Sequence, residues 1–234
     1  MINMKKHLTA REIYDKLLDE HIIDKPGKIT FNLAGVSVTM NTTDTVGITL
    51  QSWLKQWMID NDIYFHEPSN TQSFPDFYLD ECETKNLLEV KAFNYEATPA
   101  FDIANYESYL ESVSENAYRL NADYIIFGYT MDEDGTVKIK RIWLKKIWEI
   151  AGISQKWPLR VQDKRGMIYN IRPNSEFKKD QPVPFQNDED FLNASYETHV
   201  KYKGVEEANK WLIKMIEDYT EWFNRKPKIP KDKN

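Results

Sequence analysis

The chain has 234 residues, 41% of them hydrophobic, with 31 Lys and Arg against 37 Asp and Glu for a formal net charge of −6. That is enough for one large domain, or a core with an appended subdomain, and for a substantial buried core. No run of 18 apolar residues crosses a membrane, the first seven residues hold no apolar leader segment, and the single Cys82 forms no internal disulfide. The expectation is a soluble, cytoplasmic protein with no membrane partner, in which Cys82 is an incidental exposed thiol.

Thr9-Ala10-Arg11-Glu12 matches a capping box, and Ile13, Leu17 and Leu18 follow at helical spacing, which predicts a helix over about 10–22 that ends at Pro26-Gly27. Lys28 to Phe31 and Val36 to Met40 alternate like a small hairpin joined by Asn32-Leu33-Ala34-Gly35. A second helix, capped by Thr43 or Asp44, turns Val46, Leu50, Trp53, Leu54 and Trp57 inward. Ile63 to Phe65 reads as a short strand.

Pro75-Asp76-Phe77-Tyr78-Leu79 and Leu87-Leu88-Glu89-Val90-Lys91 read as two strands of a hairpin around a polar turn. A helix over about 101–120 follows, with Ile103, Tyr106, Leu110, Val113 and Tyr118 as core contacts. Tyr124 to Phe127 is apolar enough for a strand covered on both faces. After the turn Asp132 to Gly135, strand alternation places Val137, Ile139 and Arg141 opposite Lys138, Lys140 and Ile142. Trp157 to Arg172 reads as a further hairpin turning at Lys164-Arg165-Gly166, then come helices at 188–202 and 205–223 and a basic tail, 225–234, expected to be disordered. The order predicts a mixed α/β (α+β) fold, a central sheet flanked by helices. Residues 1–150 are its core, and 151–224 an added hairpin and closing helices. The tryptophans read as core, and the four scattered histidines form no metal pattern.

The chemistry concentrates at residues 76–91. Two-residue periodicity puts Glu89 and Lys91 on one strand face, near Asp76. Phosphodiester hydrolysis needs a hard cation, an activated water and help for the leaving oxygen. Asp76 and Glu89, with the Val90 carbonyl, suit Mg²⁺, for which Mn²⁺ substitutes. Lys91 can stabilise the charge of the transition state, orient the water or, if its pKa is depressed, act as base. An ordinary cross-strand ion pair is the competing reading of the same residues.

Charge is divided along the chain. Residues 1–134 hold 10 basic and 23 acidic side chains, residues 135–234 hold 21 and 14, and 138–179 alone hold 12 and 3. Polyanion binding depends on where charge sits, so the acidic total leaves nucleic acid open as a partner.

Ser73 to Leu79 together with Asn86 to Glu96 resembles the PD-(D/E)xK nuclease signature in the version found in NgoBV-type (NlaIV-like) type II restriction endonucleases. Phe101 to Ala104, Tyr124 to Tyr129 and Ile142 to Trp148 are similar as well, and the similarity runs from about Leu8 to Phe223. The resemblance implies a restriction-endonuclease-like fold. It makes Asp76 and Glu89 metal ligands and Lys91 the catalytic lysine. It further implies a homodimer that cleaves double-stranded DNA at a short palindrome of the GGNNCC type, with a cognate DNA methyltransferase encoded nearby. Many such cores carry one more acidic residue on the helix before the motif; here Gln51 or Glu67 stands in its place as an auxiliary.

Guanine reading in the major groove favours Arg or Lys. Lys140, Arg141, Lys145, Lys146, Arg160, Lys164, Arg165 and Arg172 supply guanine contacts or phosphate clamps, and Asn94, beside Tyr95, leaves the catalytic strand toward the backbone at the cut. A structure-selective or repair nuclease on the same core and a non-catalytic DNA-binding protein are the alternatives.

Overall fold

The computed structural model describes residues 5–70 and 73–229. In chain order the elements are α1 (Ala10–Asp19), β1 (Pro26–Lys28), β2 (Thr30–Leu33), β3 (Val36–Thr39), α2 (Val46–Asp60), β4 (Phe77–Tyr78), β5 (Leu87–Asn94), β6 (Ala104–Asn105), α3 (Tyr106–Glu115), β7 (Asp123–Met131), β8 (Thr136–Lys145), α4 (Ile147–Ile150), β9 (Val161–Lys164), β10 (Met167–Ile171), α5 (Asp188–Lys203) and α6 (Val205–Phe223). Contacts divide the chain into one unit of Met1–Pro99 with Asp123–Lys145 and another of Ala100–Ala122 with Lys146–Asn234. The boundary expected at 150 falls inside the second.

The first unit is built on a five-stranded sheet of order β1-β8-β7-β5-β4, in which β5 and β7 run parallel and the other neighbours antiparallel. One face carries Leu88, Val90, Ile125, Phe127 and Ile142, packed with Ala10, Ile13 and Leu17 of α1 and Val46, Leu50, Leu54 and Met58 of α2. Burying each large aliphatic side chain contributes about 1.5–3 kcal/mol, so this layer fixes where α2 lies on the sheet. The register puts Glu89, Lys91 and Phe93 on the opposite face, in rows with Tyr124 and Lys145, Ile126 and Trp143, and Gly128 and Arg141. As predicted, the centre of β7 is buried on both faces.

β8 corrects its expected alternation. Gly128 pairs with Arg141 but Tyr129 pairs with Ile139, so Lys140 is an extra, bulged residue. The bulge resets the period, and Ile142 joins Val137 and Ile139 in the core while Arg141 faces the other way.

Several boundaries shift. The capping box forms, with Thr9 Oγ1 accepting from Glu12 N at 3.2 Å and Glu12 Oε2 accepting from Thr9 N at 2.8 Å. α1 nonetheless stops at Asp19, and His21 and Asp24 take positive φ. Pro26, expected only to end the helix, begins β1, an edge strand whose first position tolerates a missing N–H. The β2–β3 strands extend until only Ala34 and Gly35, both at positive φ, make the turn. Ile63 to Phe65 forms isolated bridges instead of a strand, Ile63 with Lys6 and the next residue, His66, with Tyr78. Trp53 points outward, 38% exposed.

In the second unit β6, β10 and β9 form a three-stranded antiparallel sheet. Residues 101–120 are not one helix. Asn105 ends β6 and caps α3 by accepting from Ser108 N at 3.1 Å, and the non-helical backbone of Asn116 breaks α3 before a short 3₁₀ turn at Ala117–Asn121. Trp211 of α6 donates from Nε1 to the Leu110 carbonyl of α3 at 2.8 Å. Asp188, at the start of α5, accepts from Tyr219 Oη at 2.6 Å and from Arg225 Nη2 at 3.0 Å. Arg225 thus ties the first residue of the expected disordered tail to α5, while residues 230–234 lie outside the described residues.

Candidate active site

β4 and β5 pair through Phe77 with Leu88 and Tyr78 with Leu87, which leaves Asp76, one residue before β4, across from Glu89. Glu89 holds the Asp76 backbone, and Asp76 holds that of Val90. Asp76 N donates to Glu89 Oε2 at 3.1 Å, and Val90 N donates to Asp76 Oδ2 at 2.7 Å. From α2, Gln51 Nε2 donates to the remaining Asp76 oxygen, Oδ1, at 2.6 Å. Lys91 Nζ stands 2.8 Å from Glu89 Oε1, both side chains largely buried. Every residue assigned a catalytic role, and Gln51 beside them, therefore belongs to one hydrogen-bonded ring. Val90, expected to offer its carbonyl, contributes its N–H.

Glu67 is drawn to the same place. The antiparallel bridge of His66 to Tyr78 lays residues 66 and 67 beside β4, the His66 ring stacks on Tyr78 with centroids 4.8 Å apart, and Glu67 accepts from Lys55 Nζ at 2.6 Å. Lys55 lies one helical turn past Gln51, so one face of α2 addresses both acidic residues. The signal for Lys55 in the sequence was that spacing alone.

Burial and the neighbouring Glu89 push the Asp76 carboxyl well above the usual range, to about 7, and Glu67 adds to the effect; the Val90 N–H and the Lys91 ammonium oppose it. Two close carboxylates, with one ammonium paired to Glu89, leave excess negative charge in a largely buried site. Such a donor set fits a hard, oxygen-preferring divalent cation. Asp76 and Glu89 would hold it; among the described residues no group of three or more His, Cys, Asp or Glu is arranged to do so. A two-carboxylate set of this kind suits a cation that keeps several of its own waters.

The basic candidates separate into distinct situations. In the first unit Arg141 lies over the Trp143 ring at 5.3 Å, and Trp143 stacks on Phe93 at 5.5 Å and on Tyr95 at 6.2 Å. Gly128 makes room beneath this stack, since a Cβ there would come within 2.8 Å of Trp143 and 2.9 Å of Tyr95. Trp143 is buried, as expected, and it also carries Arg141 on the sheet face of Glu89 and Lys91, which sequence reasoning did not anticipate. Lys145 ends the row that starts at Glu89. Lys140, on the bulge, pairs with Asp24. Asn94 folds its own loop, its Oδ1 accepting from Glu96 N at 3.0 Å.

In the second unit Arg160 donates to the Pro173 carbonyl at 3.0 Å, and Arg172 to the Ala100 carbonyl at 2.6 Å and to Asp102. Lys164 and Arg165 stand exposed at the tip of the β9–β10 hairpin, where Arg165 and Gly166 have φ of 53° and 80°. That is the two-residue turn with both centres left-handed that fits strand twist.

Comparisons with known proteins agree with this architecture. The sequence profile described as NgoBV restriction endonuclease matches residues 7–234. The chain is 40% identical over 230 residues to the type II restriction enzyme NlaIV of Neisseria lactamica, covering 96% of this chain and 94% of that protein. It is 39% identical over 165 residues to the type II restriction enzyme NgoBV of Neisseria gonorrhoeae, covering 68% and 91%. A solved structure of NlaIV restriction endonuclease superposes with a TM-score of 0.88 over 97% of this chain and 94% of its own. The curled mixed sheet, the flanking helices and near full-length similarity lead to one conclusion: this chain belongs to the NgoBV family of type II restriction endonucleases.

Proposed function

We propose that this endonuclease hydrolyses double-stranded DNA within a short palindrome of the GGNNCC type, as a homodimer that uses Mg²⁺, or Mn²⁺ in its place. The observation that carries this reading is the ring joining Asp76, Glu89, Lys91 and the Val90 N–H. Bound at Asp76 and Glu89, the cation would supply positive charge to the scissile phosphate and lower the pKa of water.

The protein's own residues do the rest. The Val90 N–H and Gln51 fix the Asp76 carboxylate, so it needs no reorientation on binding. Glu89, clamped by the Asp76 N–H, presents its second oxygen to Lys91 and sets the ammonium at the mouth of the site. There a point charge favours the extra negative charge that the phosphate oxygens carry in the pentavalent transition state. Arg141, held flat on Trp143, and Lys145 extend positive charge along the same sheet face for the DNA backbone. The exposed Lys164 and Arg165 suit groove contacts, whereas Arg160 and Arg172 act through the backbone and Asp102 contacts described above. Asn94 shapes the loop beside the cut.

A two-fold palindrome is matched by a two-fold protein presenting identical contacts to each half-site. Cytoplasmic activity on such a common sequence calls for protection of the host's own DNA, and so for a methyltransferase gene nearby.

The test is incubation of the pure protein with mixed-sequence plasmid. Discrete fragments with Mg²⁺, none with EDTA, and ends mapping within GGNNCC support the proposal. A smear, cutting confined to junctions, or DNA intact with every divalent ion overturns it.

A further inference from the structure

The β2–β3 hairpin pairs with no other strand among the described residues. Its register sets Phe31 opposite Val38 and Leu33 opposite Val36, so these four share one face, while Thr30, Asn32, Ser37 and Thr39 share the other. All eight residues of the two strands are exposed, so the apolar face lies uncovered along with the polar one. Phe31 is 57% exposed, Leu33 65%, Val36 65% and Val38 49%. An isolated two-stranded ribbon is marginally stable in water, and contiguous exposed apolar surface of this kind marks an interaction site.

The same unit also contains a groove of about 290 Å³, lined mostly by apolar side chains such as Ile22, Ile29, Leu50 and Ile139, together with Thr49 and the two lysines Lys25 and Lys28. Ile29 stands at the foot of the hairpin, so groove and ribbon form one continuous surface. No charged residue lies between Ile29 and Thr43. A ribbon that gripped DNA would carry Lys or Arg for the phosphates; this one has neither, and its apolar face matches the mostly apolar lining of the groove.

Ribbon and groove are complementary, on one unit, and neither fills the other. A closed two-fold pair fills both at once, because an isologous interface sets the same two patches against each other twice. We propose that the β2–β3 hairpin is a dimerisation arm whose Phe31, Leu33, Val36 and Val38 face seats in this groove of a second copy of the chain. The inference rests on the homodimer reading above and names its surface.

The test is sedimentation of the DNA-free protein, with circular dichroism to monitor folding. Wild type is expected to be dimeric. The arm variant Phe31→Ser/Val38→Thr and the groove variant Thr49→Arg are each expected to raise the dimer dissociation constant about 100-fold, the scale of losing a hot spot. Wild type that sediments as a monomer while still cutting DNA would overturn the arm and leave the cleavage reading intact. A dimer that both variants preserve would overturn it as well. Conversely, a dimer sensitive to both variants but unable to cut would retain the arm and sink the nuclease reading. If the arm variant loses its fold, Thr49→Arg alone decides: a folded monomer supports the arm, and a folded dimer overturns it.

Discussion

Gln51 Nε2 donates to Asp76 Oδ1 across 2.6 Å, which means that a neutral amide from α2 sets the orientation of a carboxyl whose proton affinity is strongly raised. A hydrogen bond to a charged group contributes about 1.5–3 kcal/mol, so Gln51→Ala should slow cleavage mainly through kcat, with modest loss of stability. Gln51→Glu adds a third negative charge. Its metal-free form is expected to melt below wild type at pH 8, and saturating Mg²⁺ should raise its Tm by more than it raises that of wild type. Equal Mg²⁺ responses in the two proteins would count against a cation at Asp76.

Asp76 also links stability to pH. Its folded-state pKa is raised from 3.8 to about 7, so the native protein binds the extra proton over that window. Stability from this group is therefore fully present at low pH and is lost as pH rises from about 4 to about 7. Asp76→Asn should abolish cleavage and, without metal, stabilise the fold at pH 8 by a few kcal/mol at most, since each tenfold change in proton affinity is worth about 1.4 kcal/mol. At pH 4 the gain should vanish. Melting curves of both proteins in EDTA at the two pH values provide the check.

Lys91→Met keeps the length of the side chain and removes its charge beside Glu89. Cleavage should fall by at least about 10²–10³-fold, the scale of losing one preorganised donor. Specific DNA binding in Ca²⁺ should persist, as read by gel shift. Near wild-type turnover would refute the role given to the ammonium.

Gly128→Ala drives a methyl group to within 2.8 Å of the Trp143 ring and 2.9 Å of Tyr95. Overpacking of this kind costs about 1–3 kcal/mol, and the stack that carries Arg141 must move. Urea denaturation should register the loss. Arg141→Ala should leave stability nearly unchanged and weaken DNA binding, with a shallower dependence on salt.

His199 of α5 lies half-buried beside the Tyr106 and Trp211 rings, with Glu107, Lys203 and Glu207 facing it, and burial holds its pKa below the ordinary value of 6.5. The folded state thus favours the neutral ring, and its contribution to stability is present above the unfolded pKa and lost as pH falls from about 6.5 through the lower folded value. His199→Gln should flatten the drop in Tm below pH 6.5. A wild-type slope retained in that variant would assign the effect to another group.

The sequence was most legible where local chemistry and burial agree. Thr9 and Glu12 announce a helix start, Tyr124 to Phe127 a doubly covered strand, and Asp76, Glu89 and Lys91 a cluster that the fold brings together. The remainder depends on tertiary events. The bulge at Lys140 is invisible in a two-residue pattern, yet it decides that Ile142 is core and Arg141 is not. Gln51 and Glu67 meet Asp76 because α2 docks on the sheet and His66 bridges Tyr78, neither of which spacing encodes. Nor can charge composition tell a guanidinium aimed at solvent from one satisfied by a carbonyl, as Arg160 and Arg172 are.

The parallel pairing of β5 with β7 is completed only after the chain has made residues 100–122 of the second unit. That unit is consequently written in two pieces. Ala117 N reaches Asp218 Oδ2 across 101 positions of sequence, and Leu110 accepts from Trp211 across an equal span. A truncation after Lys145 would strand α3 without α6, and exchanging this unit between relatives would require three joints in the gene where a simple C-terminal fusion requires one. In this chain the second unit is therefore topologically harder to exchange whole than to alter by side-chain change in place.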